Sequence, residues 1–371
     1  MEQPEPGEQA PADVGAEVQP EPLHSDREVY RRSLIVLAFG LLISGSLLGL
    51  RGRAGADPAA PPSEPSAAAL VAPRASAPPT PAVPETPRLD ERVERCGPVA
   101  PTATDHFGAP RELSLGRAWI PRRGGHDPSF GYDVLIHFHA HKAARKIVQP
   151  FSDRLVFVGV DLGDMTGDYS KPLSEAEVFT DLRASITSAL RHQSGHETAH
   201  IKSLSVSGWS AGVGAVPTLL KRFSAEIDAL ILLDGLHAGW KLDKPTDGTQ
   251  ASVEVSYLTP VIRFAKLALA GDKQLIISHS DVPTEGYAPT RVTADRLLSE
   301  LKLERTLQDP GQDTFGRWGS VDQGGFALWA HHGSAERGHC AELVLLADAL
   351  EARVLPWLAR RAAVPAKQPA P

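Results

Sequence analysis

Apolar and polar positions along this chain alternate in blocks rather than residue by residue. Short continuous apolar runs at residues 132–139, 155–161, 201–207, 227–234, 274–278 and 326–330 predict strands buried on both faces. The intervening segments have helical spacing. In residues 174–191, Val178, Leu182, Ile186 and Leu190 share a face, and Ser174 with Glu177 form a potential capping box. Residues 257–270, 290–303 and 341–358 predict further helices. Strands alternating with helices imply an α/β domain with a mostly parallel sheet and helices on both faces.

The N-terminal blocks follow other patterns. Residues 33–50 carry no charge, are apolar enough to cross a bilayer, and are bracketed by Arg31, Arg32, Arg51 and Arg53. A single transmembrane helix acting as a signal anchor is expected. The rival is a cleaved signal peptide, since Ala54-Gly55-Ala56 would suit a peptidase. Arg27, Arg31 and Arg32 outnumber the arginines that follow, which favours an inside N-terminus and an extracytoplasmic (periplasmic or extracellular) domain. Residues 1–32 are expected to be a disordered cytoplasmic tail. The Pro- and Ala-rich residues 51–93 should form an extended tether. The folded domain then occupies residues 94–361, and residues 362–371 form a solvated tail.

Composition narrows the chemistry. A hydrophobic content of 42% supplies a core, and a net charge of −7 gives no reason to expect a nucleic-acid partner. Only Cys96 and Cys340 are present, which excludes a cysteine-built metal site and leaves room for at most one disulfide. Were they to pair, the bridge would hold the start of the domain beside its C-terminal region.

The most informative stretch runs from residue 201 to 215, where an apolar strand leads through Gly208-Trp209-Ser210-Ala211-Gly212 into a helix. A serine on such a strand-to-helix turn is lifted above the sheet. The flanking glycines let strand and helix approach, and the Ala211 amide at the helix start faces developing negative charge. Ser210 is therefore a candidate nucleophile. The spacing of His137, His139 and His141 suggests a second chemistry, a three-nitrogen zinc site. It matches no familiar zinc signature and no acid stands nearby in sequence, so no metal or other cofactor is expected.

With these elements in order, the chain resembles the α/β-hydrolase superfamily over residues 112–360. That resemblance implies a membrane-anchored serine hydrolase, carboxylesterase- or lipase-like, whose partners follow in the order serine, acid, histidine. It points to His339 as the base, ahead of His331 and His332. For the acid it favours Asp281, past the 274–278 strand, over Asp234 at the end of the preceding strand. The second oxyanion donor would come from the amides of Ala140 and His141, with alanine standing where the family has glycine. Trp209, Trp240, Trp318 and Tyr287 are candidates to line a pocket, and residues 241–256 to form a lid. The expected activity is hydrolysis of a small-molecule or lipid ester. The alternative is a membrane-tethered binding module that keeps the elbow without activity.

Overall fold

The computed structural model describes residues 93–94, 97–98, 104–241, 248–313, 315–333 and 336–363. All belong to the second of two units into which the chain divides, Pro79–Pro371. The expected tail at 1–32, the span at 33–50, nearly all of the tether, Cys96 and the final tail from residue 364 lie outside the described residues. Among the described residues no helix is long and apolar enough to cross a membrane.

The apolar runs become the middle of a ten-stranded sheet. In chain order the strands are β1 Val93–Glu94, β2 Gly97–Pro98, β3 Arg111–Glu112, β4 Arg117–Trp119, β5 Gly131–Phe138, β6 Val156–Val160 and β7 His200–Trp209. They continue with β8 Ala229–Leu233, β9 Gln274–His279, β10 Thr306–Leu307, β11 Arg317–Gln323 and β12 Phe326–His331. β1 and β2 pair only with each other. The large sheet runs β10-β11-β12-β9-β8-β7-β5-β6-β4-β3, parallel from β12 to β6 and antiparallel at both edges.

Successive residues of a strand point to opposite faces, and here both faces are covered, which is why the runs are continuously apolar. Val134, Ile136, Phe138 and Val158 pack on one side with Phe179, Leu182, Ile186 and Leu190 of helix Ala176–Ser194, and with helices Ala215–Phe223, Thr259–Leu269 and Thr290–Leu301. Leu135, Phe157, Ile231 and Ile276 pack on the other side against helices His141–Val148, Glu336–Ala349 and Leu355–Ala363.

Two local expectations change. The capping box does not form: Ser174 sits in a preceding 3₁₀ turn and donates its hydroxyl to the Lys171 carbonyl, so Glu175, not Ser174, stands at the N-cap of helix Ala176–Ser194. The C-terminal helix begins at Glu336 rather than Ala341, which puts His339 inside its first turn.

The parallel register places the site. Phe138 is level with Gly208, Trp209 with Leu233, and Leu233 with Ser278. The residues just beyond the carboxyl ends of β5, β7, β8 and β9 therefore emerge side by side, where open α/β sheets present their ligand sites.

Candidate active site

Ser210 follows extended Trp209 and takes a left-handed backbone, φ 52°, before a 3₁₀ turn, Ser210–Gly214, that continues into helix Ala215–Phe223. A non-glycine residue in that region costs of order 1 kcal/mol or more and persists only where its surroundings hold it. Close packing supplies the hold. A Cβ on Gly212 would stand 2.1 Å from the Phe138 carbonyl oxygen, so only glycine lets the turn rest on the end of β5. On the other side, a Cβ on Gly235 would come within 2.3 Å of the Ser210 carbonyl oxygen, so the turn after β8 presses against the same elbow.

That turn carries Asp234, also with positive φ (40°) and almost fully buried. Its carboxylate accepts from the Ser280 amide at 3.0 Å, the Thr290 hydroxyl at 2.6 Å, the Ser280 hydroxyl, and His339 Nδ1 at 2.7 Å. Burial alone would raise its pKa. The hydrogen bond and charge of His339 and the two hydroxyl donors outweigh burial and hold the carboxyl well below the ordinary range. An ionised carboxylate only accepts, so His339 carries its proton on Nδ1 and Nε2 keeps its lone pair.

Asp281, the acid favoured from sequence, is elsewhere. Its oxygens take Arg291 Nη1 at 3.1 Å and His332 Nδ1 at 2.9 Å. His331 faces Glu342 at 3.0 Å, both side chains 2% exposed. Three histidine–carboxylate pairs thus lie in this part of the chain, and one adjoins the elbow. Trp209, next to Ser210, donates Nε1–H to the His339 carbonyl at 3.0 Å, and its ring stacks on the His339 imidazole with centroids 4.7 Å apart. Among the described residues no hydrogen bond joins Ser210 to the His339 ring.

The loop after β5 faces the elbow. His139 and Ala140 both have left-handed backbones, φ 74° and 54°, so alanine occupies a conformation glycine would adopt at lower cost. Among the described residues no turn or loop carbonyl accepts the Ala140 amide. The His141 amide donates to Asp161 Oδ1 at 3.2 Å, which leaves Ala140 and Ala211 of the three amides expected from sequence. The left-handed turn also breaks the strand alternation on which a three-histidine metal site would depend. His137 is buried against the Ser207 hydroxyl, His139 Nδ1 meets the Tyr169 hydroxyl, and His141 Nδ1 meets Asp161. Among the described residues no group of three or more potential ligands surrounds a common point.

Of the other aromatics, Tyr287 packs edge-on to His237 at 4.8 Å, Trp240 bridges Val253, and Trp318 stacks with His332 away from the elbow. Residues 242–247 of the expected lid lie outside the described residues, and its remainder includes 3₁₀ turns Gln250–Ser252 and Val255–Tyr257. Sequence reasoning missed Ser280, Thr290 and Tyr169. Their roles depend on which strands are neighbours, and no local spacing signals that. Cys340, beside His339, is disulfide-bonded.

No family model and no curated protein matches the chain. Among solved structures it is similar to the enterobactin esterase FES of Shigella flexneri solved with enterobactin, at 11% identity, TM-score 0.38, covering 68% of this chain and 61% of that one. It is also similar to an IroE-like serine hydrolase of Shewanella oneidensis, at 15% identity, TM-score 0.38, covering 65% and 78%. A third is an alpha/beta hydrolase fold protein of Chitinophaga pinensis, at 11% identity, TM-score 0.33, covering 67% and 98%. The chain spans about three fifths of the length of two similar esterases, 58% of a thermostable one and 62% of an FES structure.

Proposed function

We propose that the domain is a serine hydrolase acting on carboxylic esters. Ser210 attacks the carbonyl, and His339 Nε2 takes its proton and returns it to the leaving alcohol; a water deprotonated by the same nitrogen then cleaves the acyl-serine ester, releasing the acid and restoring the Ser210 hydroxyl. Asp234 orients the imidazole and balances its charge, while the amides of Ala211 and Ala140 receive the tetrahedral oxyanion. The observation that carries this reading is the 2.7 Å bond from His339 to the buried Asp234 beside a serine held in a left-handed elbow. We further propose that residues 33–50 tether the domain to a membrane, with the domain on its extracytoplasmic side.

A fluorophosphonate probe tests the chemistry. Purified protein is expected to be labelled on Ser210, and the Ser210→Ala variant to show neither labelling nor turnover of p-nitrophenyl acetate. Well-folded wild-type protein that resists the probe would instead support the inactive binding module.

A further inference from the structure

We propose that Trp209 is a positioning residue: its indole fixes where His339 stands over the elbow and ties it to the oxyanion loop. The inference rests on the hydrolase reading above. A single hydrogen bond from His339 Nδ1 to Asp234 leaves the imidazole free to swing about that bond. Two further contacts remove the freedom, and both come from Trp209. The Nε1–H holds the His339 carbonyl at 3.0 Å, pinning the first turn of helix Glu336–Ala349, while the ring lies against the imidazole at 4.7 Å and 27°.

The same indole also stacks on His139, with centroids 5.3 Å apart and planes 15° from parallel. His139 precedes Ala140 in the left-handed turn that presents the oxyanion amide, and its Nδ1 is anchored on the Tyr169 hydroxyl at 3.0 Å. That hydroxyl donates to the Gly163 carbonyl at 2.9 Å, so towards His139 it accepts and the imidazole donates. One side chain, adjacent in sequence to the nucleophile, therefore touches both the helical turn that supplies the base and the loop that supplies the oxyanion donor. The separation of those two groups determines whether a carbonyl held by the amides lies in line with a serine deprotonated by Nε2. Misplacement of about 1 Å costs on the order of a hundredfold in rate.

Steady-state kinetics with p-nitrophenyl acetate on the full chain tests this. In Trp209→Leu, which removes both the N–H and the ring face, kcat is expected to fall on the order of a hundredfold with KM little changed. Trp209→Phe keeps an aromatic face without the N–H and is expected to recover part of that loss, a rescue that general loss of packing would not produce. Wild-type kcat in folded Trp209→Leu would overturn the inference. Should that variant not fold, Trp209→Phe decides: reduced kcat at constant KM supports the assignment, and unchanged kcat sinks it. Ser210→Ala separates the two levels, because full turnover there overturns the hydrolase reading itself. An inert Ser210→Ala beside a fully active Trp209→Leu removes only the role of Trp209.

Discussion

Asp234→Asn is expected to lower kcat for ester hydrolysis by about 10⁴, while Asp281→Asn stays within a few-fold of the parent. The asymmetry follows from what each carboxylate touches. Asp234 is buried at the end of β8 and accepts from His339 Nδ1 at 2.7 Å, so it dictates which ring nitrogen carries the proton. An asparagine there presents an N–H to the same nitrogen and favours the opposite tautomer, leaving the wrong nitrogen free for the serine. Its carbonyl oxygen can still accept from the Ser280 amide or the Thr290 hydroxyl, which preserves part of the turn. Asp281 holds His332 and the half-exposed Arg291, neither of which touches the elbow among the described residues. Kinetics of the two variants, each checked for an intact thermal transition, decide the matter. A larger loss in Asp281→Asn would reverse the assignment of the acid.

How much of this was legible in the sequence follows the range of the interactions involved. The elbow was readable because its cause is local: Gly212 must pass within van der Waals contact of β5, and Ser210 must turn sharply between strand and helix. The central strands were readable because covering both faces of a sheet demands unbroken apolar runs. The choice between Asp234 and Asp281 was not, because each ends a strand and only the position of helix Glu336–Ala349 tells which one His339 reaches. Edge strand β11, Arg317–Gln323, escaped because only Gly319 and Val321 in it are buried and its alternation is broken by a bulge between Arg317 and Gly319. The helix His141–Val148 escaped because it is short and buries only Ala144, Ile147 and Val148. The His141 amide was misassigned for a related reason: Asp161, which takes it, lies at the end of a neighbouring strand and twenty residues away.

The domain should also unfold cooperatively as pH falls from 6.5 towards 4, because His137 and His279 are buried neutral and the half-buried His237 also has its pKa lowered. Burial brings His137 down to about 3 from an ordinary 6.5. Burial with the Arg305 charge brings His279 to about 4, and burial brings His237 to about 4. In the unfolded chain all three take up protons near 6.5, so across that window the unfolded state binds more protons and stability must fall with pH. Each histidine contributes about 1.4 kcal/mol per pH unit, and together they remove on the order of 10 kcal/mol by pH 4, comparable with the whole stability of a typical domain. Asp234 acts in a lower window. Its depressed pKa stabilises the fold above the ordinary carboxylate value near 4, and that contribution disappears only as pH drops further. Thermal or denaturant unfolding followed from pH 8 to pH 4.5 gives the test. The logarithm of the unfolding constant should rise as pH falls, by about three per pH unit near pH 5 from His137, His237 and His279, and the burial-lowered His139 acts in the same direction. In His137→Phe the slope should drop by one whatever that substitution does to stability, since the slope counts protons rather than contacts. A midpoint that stays constant between pH 7.5 and 5 would mean that these imidazoles are protonated as readily in the fold as in the open chain.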